Sequence, residues 1–260
     1  MKNLNLLFII LLLLLSGCFT KEQTIPLRVL VHIPSGTYHV GSPKEEKNRK
    51  GKGEEDIREI VLNSFFIENL VVTQGEYWRV MKEQNTSNPN YPMTLVSWYD
   101  AIQYCNTRSL QEGLTPVYTV HDDGSINWDR ANNGYRLPTS DEWEVACRAG
   151  TDTPYYTGHQ VFLRDANFCS MSNKRKRNTQ YNNQICIAGS YPPNSFGLYD
   201  MMGNVYEWCW DTFMEYYDTK YIRGGCYISY YYDLRSASMT FERASTKSDT
   251  VGFRVARNTR

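Results

Sequence analysis

The most informative segment of the chain reads Gly134-Tyr135-Arg136-Leu137-Pro138-Thr139-Ser140-Asp141-Glu142-Trp143-Glu144. Its second half has the form of a helix N-terminus, with the hydroxyl of Thr139 followed three residues later by the carboxylate of Glu142. The apolar residues that follow are Trp143, Val145, Ala146 and Cys147. The segment therefore predicts a helix that begins at residue 140 and packs into a core.

Two similar helix starts lie upstream. Thr73 and Glu76 form a capping-box pattern, and Ser97 precedes a second helical pattern with Asp100 at its third position. A carboxylate near the positive end of a helix is favourable. Three short helices are therefore predicted, and they account for a minor part of the chain.

The rest of the sequence consists of short strand patterns between Gly, Asn and Pro turns. Val29 to Val40 alternates as a strand with a break at residues 34–36, and Ile60 to Val72 also has strand composition. Lys44 to Glu59 carries dense charges of both signs and predicts a solvated loop. We therefore expect an α+β fold with much irregular structure, in one domain over residues 29–258.

The overall composition is globular and neutral. The 260 residues include 28 basic and 28 acidic side chains, which argues against a protein that binds nucleic acid by neutralising phosphates. The unusual feature is a total of 20 Tyr, nine of which lie between Tyr199 and Tyr232. Tyr is favoured at contact surfaces and also packs in cores, so the cluster alone does not assign a function.

The first residues predict export. Lys2 precedes an unbroken apolar run from Leu6 to Leu15, which is too short to cross a bilayer and is typical of a signal peptide. The run ends in a sequence similar to a bacterial lipobox, with Cys18 as the residue to be lipidated. An ordinary secretory signal with an accidental Cys is the alternative. We predict a signal peptide over residues 1–17, a tether over 18–28, and a domain held in the bacterial cell envelope, and exposed at the surface, by a lipid anchor in the membrane.

Six motifs follow one another along the chain: residues 72–77, 96–101, 134–144 and 194–208, then Arg223-Gly224-Gly225 and Gly252-Phe253-Arg254. In this order they resemble the formylglycine-generating enzyme, or sulfatase-modifying factor, family. The resemblance covers nearly all of the chain after residue 17 and implies a C-type-lectin-like fold.

The same resemblance bears on catalysis. Oxidase members of the family convert a Cys of a target protein to formylglycine with two Cys that bind copper, a soft ion for which thiolates are suitable ligands. Ungapped alignment places those two positions on Ser229 and Leu234, neither of which is a thiolate ligand. The sequence therefore favours a protein without catalysis and without copper, and the formylglycine-generating oxidase is the alternative.

The family also implies a structural calcium ion. Its loop corresponds to residues 200–207, and the implied ligands are Asp200, Gly203, Val205 and Glu207. Ca²⁺ takes about 6–8 oxygen ligands, so two carboxylates and main-chain carbonyls are plausible. A glycine turn without an ion is the alternative.

The cysteines after Cys18 leave the disulfides open. Cys169 and Cys186 flank a polar, basic loop, and closing it would contribute roughly 3 kcal/mol in the chain-entropy model. Cys105 and Cys147 match disulfide positions of some oxidases, but their usual partners are missing, so buried thiols are expected. The run of cations at residues 174–177 predicts a solvated loop or a contact with anionic groups.

The Tyr cluster is the candidate binding surface. In the family's fold the segment after residue 225 lies on the ligand-facing side, and Tyr offers large, rigid contact area there. The candidate ligand-binding residues are Tyr227, Ile228, Ser229, Tyr230, Tyr231, Tyr232, Asp233, Ser238, Thr240, Phe241 and Glu242. We expect a protein or glycan ligand, although some of these Tyr would pack in the core if the segment were a strand.

The segment from 226 to 241 also resembles the variable cassette of diversity-generating retroelements. Those systems mutate adenines, and an AAC codon changed in this way gives the residue types found here. The matching positions are Cys226, Tyr227, Ile228, Ser229, Tyr230, Tyr232, Asp233, Leu234, Ser238, Thr240 and Phe241. The resemblance implies a displayed variable protein.

Overall fold

The computed structural model describes residues 25–49, 55–83, 88–169, 183–214 and 218–259. Three helices and twelve strands form in this part of the chain. The helices are α1 (Gln74–Met81), α2 (Trp98–Gln111) and α3 (Ser140–Arg148). The strands are β1 (Leu30–Ile33), β2 (Gly36–Val40), β3 (Arg58–Leu62), β4 (Phe65–Glu68), β5 (Tyr118–Val120), β6 (Ile126–Trp128), β7 (Tyr135–Arg136), β8 (Tyr206–Met214), β9 (Thr219–Arg223), β10 (Met239–Arg243), β11 (Val251–Gly252) and β12 (Ala256–Asn258).

Two four-stranded sheets organise the fold. The first has the order β1-β4-β12-β7, with β12 antiparallel to both β4 and β7. The second has the order β10-β9-β8-β11, and β10 is its outer strand. Two hairpins, β2–β3 and β5–β6, complete the strands. The predicted α+β class with much irregular structure is confirmed.

The helices begin where the sequence predicts. Ser97 and Thr139 both cap their helices through complete capping boxes, in which the third helical residue returns a bond to the cap. Thr73 also caps α1, but Glu76 turns its carboxylate to Arg79, 2.9 Å away. The predicted N-terminus of α1 is therefore right, while its reciprocal bond is not described.

Tryptophan side chains tie the helices to the second sheet. Trp98 Nε1 of α2 donates to the carbonyl of Cys209 on β8 at 2.9 Å. Trp143 Nε1 of α3 donates to Glu207 on the same strand at 2.7 Å. Both rings are almost fully buried. The first turns of α2 and α3 are therefore both hydrogen-bonded to β8, the strand beside β9.

The charged segment from Lys44 to Glu59 departs from its prediction as a solvated loop. Glu55 is only 2% exposed, and its carboxylate accepts two bonds from Arg235, at 2.8 and 3.0 Å. The partner is 180 residues away, so local composition carries no sign of it. The segment is anchored to the C-terminal part of the domain.

The last residues of the predicted tether already pack against the domain. Arg28 forms an ion pair with Glu68 and donates to the carbonyl of Val71 at 2.9 Å. Residues 1–17 and Cys18 lie outside the described residues. Among the helices that the structure describes, none is long and apolar enough to cross a bilayer.

Candidate functional site

The candidate site follows β9 and is built on a buried arginine. Arg223, the last residue of β9, is fully buried and donates to the carbonyls of Ala237 and Ser238 at 3.0 and 3.2 Å. Gly224 and Gly225 then take positive φ angles of 93° and 77°, which side chains disfavour. Together these residues bend the chain into the Tyr-rich turn, which we define as residues 227–233.

Main-chain bonds hold the Tyr-rich turn in place. Ser229 N–H donates to the carbonyl of Cys226 at 2.9 Å, and its own carbonyl accepts from Cys169 N–H at 2.7 Å. A short 3-10 helix, Tyr231–Leu234, closes the turn and buries Leu234. The main chain is thus fixed while most side chains of the turn point outward.

The side chains of the turn that solvent can reach are mostly aromatic. Ile228 is 49% exposed, and Tyr227, Tyr230, Tyr231, Tyr232 and Asp233 are half-buried. The ring of Tyr232 lies 5.5 Å from the rings of both Tyr230 and Tyr231. Tyr230, Tyr231 and Tyr232 therefore form one partly exposed aromatic patch.

A cleft of about 640 Å³ adjoins this patch at Tyr231. Tyr155 lines it and donates its hydroxyl to the carbonyl of Tyr231 at 3.0 Å. Arg235 and Glu46 line another side and are paired at 2.6 Å. Exposed polar side chains, such as that of His159, complete the rim. The cleft offers a concave surface beside a flat aromatic one.

Two predicted ligand-binding residues are wrong because they are buried. Ser229 is 7% exposed, and its hydroxyl oxygen accepts from Cys226 N–H at 3.0 Å and lies 3.1 Å from the hydroxyl of Tyr206. Ser238 is 3% exposed beneath Arg223, which binds its carbonyl. Both stabilise the turn from below.

The last three predicted ligand-binding residues do not lie on the Tyr-rich turn. Thr240, Phe241 and Glu242 lie on β10, where Phe241 stacks on Phe213 with ring centroids 4.0 Å apart. The Tyr-rich turn instead packs against Tyr155 and Cys169. The eleven predicted residues are therefore not a single continuous surface.

The positions of the family's catalytic Cys pair are buried and carry no thiol. Ser229 takes one position, and Leu234, which is fully buried, takes the other. The nearest thiol described there is Cys226 Sγ, 3.4 Å from Ser229 Oγ. Burial raises the pKa of the Cys226 thiol, which keeps it protonated at neutral pH.

The predicted calcium loop fits an ion only in part. Asp200 is buried; one of its oxygens accepts from Gly189 N–H at 2.6 Å, and the other has no hydrogen-bond partner among the described residues. Glu207 is already committed, since Arg254 binds both its oxygens, at 2.7 and 2.8 Å, and Trp143 binds one of them. Burial raises the pKa of Asp200 to about 6. An unpaired buried carboxylate oxygen suits a cation, whereas the neutralised Glu207 does not.

Gly203 and Val205, the other two implied ligands, are both buried in this loop. Gly203 has a φ of 77°, and a Cβ there would lie 2.3 Å from the carbonyl oxygen of Asn167. In the described part of the chain, His, Cys, Asp and Glu do not form a group of three that could hold a metal. Any ion here would depend on main-chain oxygens.

The predicted bridge between Cys169 and Cys186 is wrong, because both are free thiols in the structure. Cys186 Sγ lies 3.4 Å from the side-chain nitrogen of Asn167 and from Oδ1 of Asn204, while Cys169 pairs with Tyr230. Cys105 and Cys147 are fully buried free thiols, as predicted. The cations at residues 174–177 lie outside the described residues.

Sequence reasoning missed Tyr155, Arg235 and Glu46 of the cleft. Arg235 directly follows the 3-10 helix, and its Nε donates to the carbonyl of Tyr232 at 3.2 Å. An arginine after a tyrosine run gives no signal by itself, because its acidic partners come from a distant segment. Only the pairing of two remote charged stretches could have identified this part of the site.

Comparison with known proteins agrees with this geometry. The model of the sulfatase-modifying factor enzyme 1-like domain matches residues 16–259. The chaperone protein LppX of Paenibacillus barcinonensis is 31% identical over 231 residues, which cover 76% of both chains. The formylglycine-generating enzyme of Thermomonospora curvata is 27% identical over 215 residues, or 72% of this chain and 63% of the enzyme.

Two further similarities are to part of a longer protein and to a solved structure. The serine/threonine-protein kinase pkn1 of Chlamydia pneumoniae is 29% identical over 92% of this chain, but the match spans only 40% of that protein. The solved structure of Treponema denticola variable protein 1 superposes with a TM-score of 0.74 at 23% identity, covering 88% of this chain and 95% of that one. The predicted formylglycine-generating-enzyme subtype of the C-type-lectin-like fold is confirmed.

Proposed function

Because the chain belongs to the sulfatase-modifying factor enzyme 1-like domain family, we propose that it is a non-catalytic member that binds a protein or glycan ligand through the Tyr-rich turn. The proposal rests on the accessibility of side chains in the segment that contains the family's catalytic positions. Ser229 and Leu234, at the catalytic positions, are buried without thiols, while Tyr230 and Tyr232 are half-buried and partly accessible. Large rigid side chains on a fixed main chain bind with a small loss of conformational freedom.

A protein ligand has additional support. The relative that covers 76% of both chains is named as a chaperone, a class of protein that acts by contacting other polypeptides. The cleft beside Tyr231 could accept a projecting side chain or a sugar, and Tyr155 and Arg235 would form its walls. The ligand class is therefore tested with two probes, an array of glycans and an array of purified exported proteins.

The test replaces Tyr230 and Tyr232 together by Ala. We expect loss of binding to whichever array the native protein recognises, with a change in unfolding free energy below about 1 kcal/mol, because both rings remain partly in solvent. Tyr38→Ala is the matched control, since Tyr38 is a half-buried Tyr on β2. Retained binding in the double variant, or its unfolding, would refute the proposal.

We also propose that the domain is held in the cell envelope by a lipid on Cys18. The support is the signal-like start of the sequence, which ends in Leu15-Ser16-Gly17-Cys18. Mass spectrometry of the mature protein should find an acylated Cys18 as its first residue. Cys18→Ala should abolish this acylation, and a mature native protein whose Cys18 carries no acyl group would contradict the anchor.

Calcium binding is proposed at Asp200, with main-chain oxygens as the other ligands. The support is the buried carboxylate oxygen of Asp200 that has no partner. Calcium should raise the melting temperature of the native protein relative to a chelator, and Asp200→Asn should remove this difference. An equal response in both proteins, or no response in the native one, would exclude the site.

We also propose that residues 226–241 form a variable cassette. The support is that eleven of these residues are types that an AAC codon gives when its adenines are mutated. Seven of the eleven matching residues are exposed or half-buried, which suits diversification: Tyr227, Ile228, Tyr230, Tyr232, Asp233, Thr240 and Phe241. Cys226, Ser229, Leu234 and Ser238 are buried and do not suit it. A near-copy of the codons with adenines at the differing sites, beside a reverse transcriptase gene, would establish the idea, and its absence from the neighbouring DNA would reject it.

The alternative is a formylglycine-generating oxidase, favoured only by the family. It predicts tight copper binding by the purified domain and oxygen-dependent loss of the thiol from a Cys-containing peptide. The structure offers Cys226 alone at this segment, as a buried thiol with a raised pKa. If copper binding and peptide oxidation are both absent, the oxidase is excluded.

A further inference from the structure

Among the described residues, β10 is the outer strand of the second sheet and pairs with β9 alone. It is hydrogen-bonded to β9, with Phe241 opposite Tyr221 and Glu242 opposite Lys220. Ala244 N–H donates to the carbonyl of Asp218 at 2.8 Å, which continues the same register. Bonded and non-bonded pairs alternate along an antiparallel ladder. The N–H and C=O groups of Met239 and Phe241 therefore point away from β9.

The side chains along this edge are unusual for an outer strand, because they include large apolar groups that are partly exposed. Phe241 is 44% exposed although it stacks on Phe213, and Met214 beside it is 45% exposed. Both line a shallow cleft of about 430 Å³, which Arg243 also borders. Edge strands are usually protected by Pro, Lys, bulges or coverage. Glu242 and Arg243 give this edge two charges, but within the described residues an aromatic ring lies next to main-chain donors and acceptors that point away from β9.

We propose that β10 binds an extended polypeptide segment of another protein, which adds to the sheet as an antiparallel strand. A polypeptide strand is complementary to this edge, because it supplies the partners that the outward main-chain groups of Met239 and Phe241 do not have among the described residues. This site goes beyond the Tyr-rich turn and has different neighbours, Phe213 and Met214. Main-chain bonds would supply affinity, and alternate side chains would supply selectivity.

The register defines the chemistry of the partner. An antiparallel strand places its residues in order opposite Arg243, Glu242 and Phe241, and then opposite Thr240 and Met239. Opposite charges directly across a ladder are favourable, as are aromatic and β-branched pairs. The segment should therefore read acidic, basic, apolar, any residue, apolar, as in Glu-Lys-Phe-Thr-Val.

A second copy of this chain fits the edge less well. Antiparallel pairing of two β10 strands about Phe241 would place Met239 opposite Arg243 and Thr240 opposite Glu242. Neither charged residue would then meet an opposite charge. The sequence of the edge therefore favours a different partner over self-association.

The test measures fluorescence anisotropy of a labelled peptide that contains Glu-Lys-Phe-Thr-Val, with the full chain as the binding protein. We expect saturable binding, about tenfold weaker for Phe241→Ala because the ring contact is lost. Phe241→Pro should weaken binding at least tenfold further, since Pro also removes an outward N–H. The Tyr230→Ala, Tyr232→Ala double variant should bind the peptide normally, which separates this site from the Tyr-rich turn.

Two controls keep the test decisive. A peptide with the two charges exchanged should bind at least fivefold more weakly, and so should one N-methylated at its Phe, which needs no change in the protein. Equal binding of the native and N-methylated peptides would overturn strand addition. A dimer in solution that Phe241→Pro converts to monomer would also overturn the proposal, because the occupant would then be a second copy.

Discussion

The buried arginine–glutamate pairs and the Tyr-rich turn use their side chains in opposite ways. Arg254 and Glu207 are at most 1% exposed and satisfy each other with two bonds. Tyr230 and Tyr232 are half-buried and remain partly accessible to solvent. Arg223, which is paired with Glu144 at 3.2 Å, joins the two regions because it also holds the carbonyls below the turn.

The difference shows where the family resemblance resides. Its motif residues, such as Arg223, Arg254 and Glu207, specify the main chain from inside the molecule. The outward side chains of residues 227–233 contribute little to specifying the path of the main chain. The fold can therefore be shared with enzymes and with a variable protein while the surface of the turn differs.

The largest effect is expected from breaking the buried pair. Arg254→Met leaves the Glu207 carboxylate buried without its cation, which should cost about 3–5 kcal/mol of unfolding free energy. Urea unfolding followed by tryptophan fluorescence measures the loss. The double variant Arg254→Met, Glu207→Leu should recover part of it, and a loss below about 1 kcal/mol in the single variant would show that the pair does not support the fold.

A smaller, pH-dependent effect is expected at Asp200. Its folded pKa of about 6 exceeds the usual value near 3.8, so its contribution is complete at low pH and is lost as the pH rises through about 6. Without calcium, this change is at most roughly 3 kcal/mol between pH 4 and pH 7. Asp200→Asn should flatten that part of the urea stability profile, and parallel profiles for both proteins would contradict the shift.

Ser229 should behave as part of the interior in spite of its place within the turn. Ser229→Ala removes the acceptor for Cys226 N–H and the contact with Tyr206, and should cost about 1–2 kcal/mol in urea unfolding. The Tyr230→Ala, Tyr232→Ala double variant should cost less. If the double variant lost more unfolding free energy than Ser229→Ala, the tyrosines would belong to the core. The contrast between the two regions would then not hold.

The smallest effect is expected from reducing agents. Since Cys169 and Cys186 are free, a reductant should shift the melting temperature by less than about 1 °C. Alkylation of the unfolded, unreduced protein should label both thiols, as read by mass spectrometry. A species 2 Da lighter that resists labelling would restore the predicted bridge, with a gain of roughly 3 kcal/mol.

The parts of the fold that sequence predicted are those with local causes. The starts of α2 and α3 follow from Ser97 and Thr139, whose partners lie three residues away. The break at residues 34–36 likewise separates β1 from β2. Caps and turns depend on adjacent residues, so a single sequence contains enough information to place them.

The candidate site was predicted less well because its causes are remote. The burial of Glu55 depends on Arg235, and that of Ser238 on the side chain of Arg223. Whether a residue of a tyrosine run faces solvent depends on a 3-10 helix that no periodic pattern announces. Composition located the surface, but only the structure separates Ser229 and Ser238 from it and moves residues 240–242 to another edge.

The position of β12 has a consequence for how this domain folds. Ala256 pairs with both Ile67 and Arg136, so this late strand lies between β4 and β7 at the centre of the first sheet. Contacts between segments so distant in sequence make folding slow, because loop-closure entropy is lost before they form. The first sheet cannot close until residues 256–258 have been synthesised, so a nascent chain that stops before them lacks the strand that joins β4 to β7.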